Sequence, residues 1–247
     1  MATCLAMLTR LSYFNLKFRS RRTFPNRTTR NTPPLSRTVL PALTGFAFEG
    51  VSEYSEVLMA RVDAPSLDHL HLNFFYQPVF DIPQVPRFIH RIEKFKLPIG
   101  AVVYGFADAI HVFFPSPSNY CLLQPQCTGT DRQISSLEQI LAQCSSIFSH
   151  AVQLRLSWNR GPQESVSWLR CLRRLNDVQI LDVDGEELVV HIARMFGELD
   201  REGAAEVLPM LHTLILFRFY VIHEQVIPLL KPFLDARQQS GHPVTVE

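Results

Sequence analysis

Glycine is scarce, at 10 of 247 residues, and the chain has no P-loop, no dinucleotide fingerprint and no Gly-x-Ser-x-Gly elbow. The usual sequence signatures of phosphate cradling, dinucleotide binding and serine hydrolysis are missing, so no cofactor is expected. Long apolar runs are missing too. The longest candidate, 99–114, is interrupted by Asp108 and His111 and falls short of the roughly 18 residues of a membrane span. The five cysteines form no Cys-x-x-Cys pair, and residues 1–11 have no sustained apolar core of a secretory signal. A reducing compartment, cytoplasmic or nuclear, is the expectation. Acids are absent from positions 1–48, which hold eight basic residues; the first acid is Glu49.

That last absence matters because the whole chain is nearly neutral, with 24 Lys and Arg against 23 Asp and Glu. The net charge of +1 is the sum of a basic start and a remainder of 16 basic and 23 acidic residues, a balance of −7. An acidic body argues against nucleic acid as a partner. The Arg-, Ser- and Thr-rich start has the composition of a mitochondrial import sequence; the other reading is a basic loop at 19–37 on the first structural unit. With 47% hydrophobic and 19% charged residues, the chain has material for one sizeable core, and a single domain over 1–247 is expected.

What is present is a repeat. In Leu40-Pro41 to Phe48, Ala64-Pro65 to Leu72 and Leu208-Pro209 to Leu216, large apolar residues follow the proline at +2, +5 and +7. The last two share one face of a strand and the first falls in a turn, which is the rhythm of a leucine-rich repeat. Proline suits an extended lead into the strand because it has no N–H to contribute to a ladder. Weaker copies run from Leu8 to Phe18, at Phe95-Lys96-Leu97, from Val152 to Leu156 and from Leu175 to Ile180. The interval between strands near 96 and 154 is too long for one unit, and 101–104 with 110–114 supply an extra strand or hairpin there.

Between strands the period is helical. Ser136 is placed to cap a helix carrying Leu137, Ile140, Leu141, Cys144, Ile147 and Phe148. Further helices follow from Val166, Leu169, Leu172 and Leu175, from Leu188, Ile192, Phe196 and Leu199, and from Ile227, Leu230 and Leu234. Two shorter ones carry Val51, Tyr54 and Leu58, then Val85, Phe88, Ile89 and Ile92. Strands alternating with helices imply parallel pairing. The expected fold is α/β, an irregular leucine-rich-repeat-like solenoid with parallel strands on one side and helices and loops on the other.

Several strings, Leu40-Pro41-Ala42-Leu43-Thr44, Gly50-Val51-Ser52-Glu53-Tyr54, the stretch from Ala60 to Pro65, Phe80-Asp81-Ile82-Pro83-Gln84 and the stretch from Ala236 to Val244, resemble, in order, landmarks of the F-box-like proteins of mushroom-forming fungi. The resemblance implies an N-terminal F-box that binds the adaptor of a cullin ubiquitin ligase, joined to a leucine-rich-repeat-like body that recognises the protein to be modified. Here the repeat body begins almost at Met1, no F-box is visible, and the Leu-Pro pairs at 40 and 208 belong to repeats. The segment from Cys4 to Phe18 resembles an interior strand of longer relatives and 19–37 their internal loop, which favours the loop over import. Recognition of an unknown protein partner is carried over; adaptor binding is not. The expectation is a non-enzymatic interaction scaffold. The other readings are a truncated repeat remnant without independent function and a mitochondrially imported protein.

Other chemistry is weighed against this frame. His69 and His71 share a strand face, but no third metal ligand stands at a suitable spacing. Asp182, Asp184, Glu186 and Glu187 lack the ligand pattern of a calcium loop and read as a solvated turn at a helix start. Arg170, Arg173 and Arg174 lie off their helix's apolar stripe. The residues alternating with the inward leucines form the candidate binding strip: His69 and His71, Gln153 and Arg155, Asp177 and Gln179, Thr213 and Ile215.

Overall fold

The three proline-led segments fold alike. Leu43, Leu67 and Leu211 donate their backbone N–H to the carbonyls of Leu40, Ala64 and Leu208 at 3.3, 3.2 and 2.9 Å. Pro41, Pro65 and Pro209 therefore occupy the second position of a tight turn, for which their fixed φ is suited. This is a more specific role than an extended lead into the strand. The structure, a computed structural model, describes residues 7–19, 36–75, 77, 79–95, 100–115, 119–127, 129–158, 165–217 and 223–247. Most of the basic segment 19–37, namely 20–35, lies outside those residues.

Each turn delivers the chain into a strand of one sheet. Among the described residues that sheet has ten strands: β1 (Tyr13–Lys17), β3 (Gly45–Gly50), β5 (His69–Phe74), β6 (Gly100–Gly105), β7 (Ile110–Pro115), β8 (Tyr120–Pro125), β9 (Gln153–Trp158), β10 (Ile180–Asp184), β11 (Thr213–Phe217) and β12 (Thr245–Val246). Their spatial order is β1-β3-β5-β8-β7-β6-β9-β10-β11-β12. The pairs β6–β7 and β7–β8 are antiparallel and every other neighbouring pair is parallel. Two short strands, β2 (Thr38–Val39) and β4 (Val62–Asp63), form a separate parallel ladder. The long interval after residue 96 thus holds a three-stranded meander, more than the single strand or hairpin expected. Of the expected strand Phe95-Lys96-Leu97, Phe95 ends a 3-10 turn, Glu93–Phe95, closed by its N–H on the Ile92 carbonyl, and Lys96 and Leu97 lie outside the described residues.

Parallel pairing keeps the repeat in register. Phe46, Leu70 and Cys121 stand side by side, as do Ala101, Leu154, Leu181, Leu214 and Val246. The same offsets recur at Ala151, Leu154 and Leu156 and at Val178, Leu181 and Val183, all buried. β10 therefore starts at Ile180, two to three residues later than the sequence rhythm suggests, because Val178 takes the turn position that Leu43 and Leu67 hold elsewhere.

Helices α1 (Ser52–Arg61), α2 (Gln84–His90), α3 (Thr130–Gln143), α4 (Ser145–Phe148), α5 (Ser165–Leu172), α6 (Glu186–Gly197), α7 (Arg201–Glu206) and α8 (His223–Gln239) connect the strands. Their apolar residues, among them Leu58, Phe88, Ile140, Trp168, Phe196 and Phe233, join the inward strand residues in one continuous core. Ser136 does not cap α3. The helix starts six residues earlier, and the Ser136 hydroxyl donates to the Arg132 carbonyl at 2.8 Å, a back-bond available to serine inside a helix. Among the described residues no helix is long and apolar enough to cross a membrane.

Candidate functional site

Strand burial alternates almost without exception. In β5 the order from His69 is exposed, buried, half-buried, buried, half-buried, buried, and β9 repeats it. The helices cover one face of the sheet, and among the described residues no element covers the other. The residues left on this open face line up across strands: Asn15, Ala47, His71, Leu122, Phe113, Val102, Arg155, Asp182 and Ile215 form one row.

Six of the eight residues nominated from sequence stand on this face. His69 is exposed, with its ring 4.8 Å from that of Tyr120. His71 Nε2 lies 3.2 Å from Gln124 Oε1. Gln153, Arg155, Thr213 and Ile215 follow on β9 and β11. Asp177 and Gln179 do not belong to the strip, because they precede β10. Asp177 is exposed in a turn, and the Gln179 carbonyl is occupied by the N–H groups of His212 and Thr213 at 2.9 and 3.1 Å. Their places are taken by Ile180, Asp182 and Asp184, so the first two acids of the supposed helix-start turn belong to the sheet.

The middle of the face is built by the meander, of which sequence reasoning located β6 and β7 but not β8, and assigned no outward residues. The signal for Val102 and Phe113 lay in the β-rich stretches 101–104 and 110–114; β8 had none assigned. Val102, Phe113 and Leu122 make the apolar centre, with Tyr120 5.6 Å from Phe113 between ring centroids. Phe106, 43% exposed, packs on His111 at 4.4 Å and on Tyr104 at 6.1 Å. Burial holds His111 below the ordinary histidine value; His71 adds to that shift and Asp108 opposes it. That shift favours the neutral ring, which extends the aromatic patch rather than charging it.

Two supports hold the meander in place. Gly105 pairs with Trp158, and a Cβ there would come within 1.9 Å of the indole. The indole Nε1 donates to Gln133 Oε1 at 3.1 Å, while Gln133 Nε2 donates to the carbonyls of Phe106 and Cys127 at 2.6 and 3.3 Å. One buried glutamine on α3 thus joins the ends of β6, β8 and β9.

Beside the apolar centre lies a charged cluster. Arg155 Nε is 3.6 Å from Asp182 Oδ2, its Nη2 is 3.8 Å from Asp184 Oδ2, and its guanidinium sits 4.9 Å from the Phe217 ring centre. Asp182 is buried, with its side chain 4% exposed, and its Oδ1 has no hydrogen-bond partner among the described residues. Burial pushes the Asp182 carboxyl above the ordinary carboxylate range; Arg155 opposes the shift and Asp184 adds to it. Among the described residues no group of three or more His, Cys, Asp or Glu side chains has the geometry of a metal site. No protein-family model, curated protein or solved structure matches the chain.

Proposed function

We propose that this chain is a non-enzymatic protein-recognition module, and that it engages a protein partner on the open sheet face. One observation carries the reading. A ten-stranded sheet leaves one face uncovered among the described residues, and that face presents aromatic and aliphatic groups beside an arginine held by two carboxylates. Aromatic and arginine anchors in an apolar setting are the side chains that dominate protein interfaces. Parallel register among β1, β3 and β5 and among β6, β9, β10 and β11, with proline-led turns before β3, β5 and β11 and helices after β3, β5, β9 and β10, supports an irregular leucine-rich-repeat-like solenoid. With the resemblance to F-box-like proteins, it supports the substrate-recognition body of a ubiquitin-ligase subunit, ubiquitin transfer belonging to other subunits. Buried free thiols at Cys121, Cys127, Cys144 and Cys171 suit a reducing compartment, cytoplasmic or nuclear.

The test places a photo-crosslinking amino acid at Phe113 on the open face and, separately, at Arg173 on the helix side, in living cells. The expected result is a discrete adduct from position 113 and none from 173. Combining His71→Ala, Phe106→Ala, Phe113→Ala and Leu122→Ala should remove that adduct while circular dichroism stays unchanged. Equal labelling from both positions, or an adduct that survives the fourfold change, overturns the proposal.

A further inference from the structure

The two ends of the sheet are finished differently. At the β12 end the outermost strand has two residues, and α8 packs on α6 with Phe196 stacked on Phe233 at 4.6 Å. Arg237 on α8, 1% exposed, donates to the carbonyls of His242, Ala204, Pro209 and Leu211 at 3.2, 3.4, 3.1 and 2.7 Å. That end is closed. At the other end β1 has five residues and, among the described residues, pairs only with β3.

The hydrogen bonds of that pair settle which groups β1 leaves over. The Ser12 carbonyl accepts from Thr44 and Gly45, and the Phe18 N–H donates to the Glu49 carbonyl at 2.8 Å. By the alternation of a parallel ladder, Phe14 and Leu16 also face β3, and the N–H and C=O groups of Tyr13, Asn15 and Lys17 point outward. The side chains show the same incompleteness. Phe14 and Leu16 are half-buried, whereas Phe46 and Phe48, beside them on β3, are 7% and 2% exposed.

We infer that β1 is a self-complementary edge that pairs antiparallel with β1 of a second copy of this chain. Centring the pair on Asn15 uses all five residues. It makes hydrogen-bonded pairs of Asn15 with Asn15 and of Tyr13 with Lys17, which are the residues with outward groups, and close pairs of Phe14 with Leu16. A two-fold axis through the sheet keeps Phe14 and Leu16 on the core side of both copies, extending the apolar layer across the junction. Lys17, a residue type that commonly guards a sheet edge, meets a tyrosine ring rather than another lysine, and Glu49 beside it at 3.5 Å balances its charge. This edge is separate from the open face and does not rest on the function proposed for that face.

A single strand pair is a small interface, so the association is expected to be weak and concentration-dependent. Sedimentation velocity on the full chain, up to about 0.5 mM to suit so small an interface, should show a monomer–dimer equilibrium. Asn15→Pro removes one outward N–H without touching the β1–β3 bonds, and Asn15→Lys sets two like charges opposite each other across the axis. Each should weaken dimerisation by about tenfold or more, with circular dichroism and melting temperature retained, while Arg173→Glu on the helix side leaves it intact. If Asn15→Pro fails to fold, the exposed Asn15→Lys change carries the comparison. A wild-type chain that stays monomeric over the whole range, or a dimer indifferent to Asn15→Lys, overturns the inference.

Discussion

Asp182 is a residue whose surroundings serve it poorly. Its carboxylate is withdrawn from water, its closest cation stands at 3.6 Å, and one oxygen has no hydrogen-bond partner among the described residues. A buried charge so incompletely compensated lowers stability. Because the folded-state pKa is raised, the folded protein holds this proton more tightly than the unfolded chain. The group's favourable contribution is complete below the unfolded value, near 3.8, and is lost as pH rises through the folded value. Asp182→Asn cannot ionise and leaves Arg155 with Asp184. Relative to wild type, the variant should therefore be more stable at pH 7 than at pH 4, read as the difference in urea midpoint at each pH. A difference independent of pH would show that the carboxylate is adequately solvated.

At the scale of elements, several supports come from side chains far away in sequence. Pro83 precedes α2 and offers no capping side chain, and the first turn of α2 has no acid. Glu56 of α1, buried, fills that role: it accepts from Gln84 N–H at 3.1 and 2.8 Å and from Val85 N–H at 3.2 Å. A carboxylate at a helix N-terminus also complements the helix dipole. Glu56→Gln replaces one acceptor oxygen with a donor facing N–H groups, and should cost about 1–3 kcal/mol, seen as a lower urea midpoint at unchanged slope. The loop before α2 is held in a related way by α3, through Gln139 on Phe80 N–H at 2.6 Å and Gln143 on Ile82 N–H at 2.5 Å. Glutamines on the polar side of an amphipathic helix read as solvated positions; here they satisfy backbone that would otherwise be stranded.

Among the described residues the molecule is a sheet with one covered face, one open face and two unequal ends. Local opening follows buried contact and backbone pairing, so stability should vary along the sheet. Amide exchange measured by NMR on dilute, monomeric protein should be slowest in β9 to β11 and α6, which Arg237 and α8 close off, and fastest in β1. Within β1, Tyr13, Asn15 and Lys17 should exchange faster than Phe14 and Leu16. Uniform protection from β1 to β11 would contradict the asymmetry.

How much of this was legible beforehand depended on sequence distance. The turn–strand unit was readable because its parts are neighbours: proline fixes its own φ, and residues two apart share a strand face whatever surrounds them. Leu67, Leu70 and Leu72 had to face inward once their strand formed, and Phe196 and Leu230 had to lie on their helices' apolar stripes. The candidate strip was legible at His69, His71, Gln153, Arg155, Thr213 and Ile215 for the same reason. It slipped at Asp177 and Gln179 because a period of two cannot say where a strand starts, and a start two or three residues later substitutes Ile180, Asp182 and Asp184. The meander was beyond local reasoning. β6 and β7 were visible as β-rich stretches and β8 was not, and pairing β8 with β5 and β6 with β9 joins residues tens of positions apart. That pairing brings Phe113 and Leu122 to the centre of the open face, the pairing of β9 with β10 sets Asp182 beside Arg155, and among the described residues β1 pairs only with β3. Periodicity and turn chemistry act through covalent neighbours, so the sequence alone determined which residues point inward; strand order acts through space, so only the tertiary structure decided which outward residues meet.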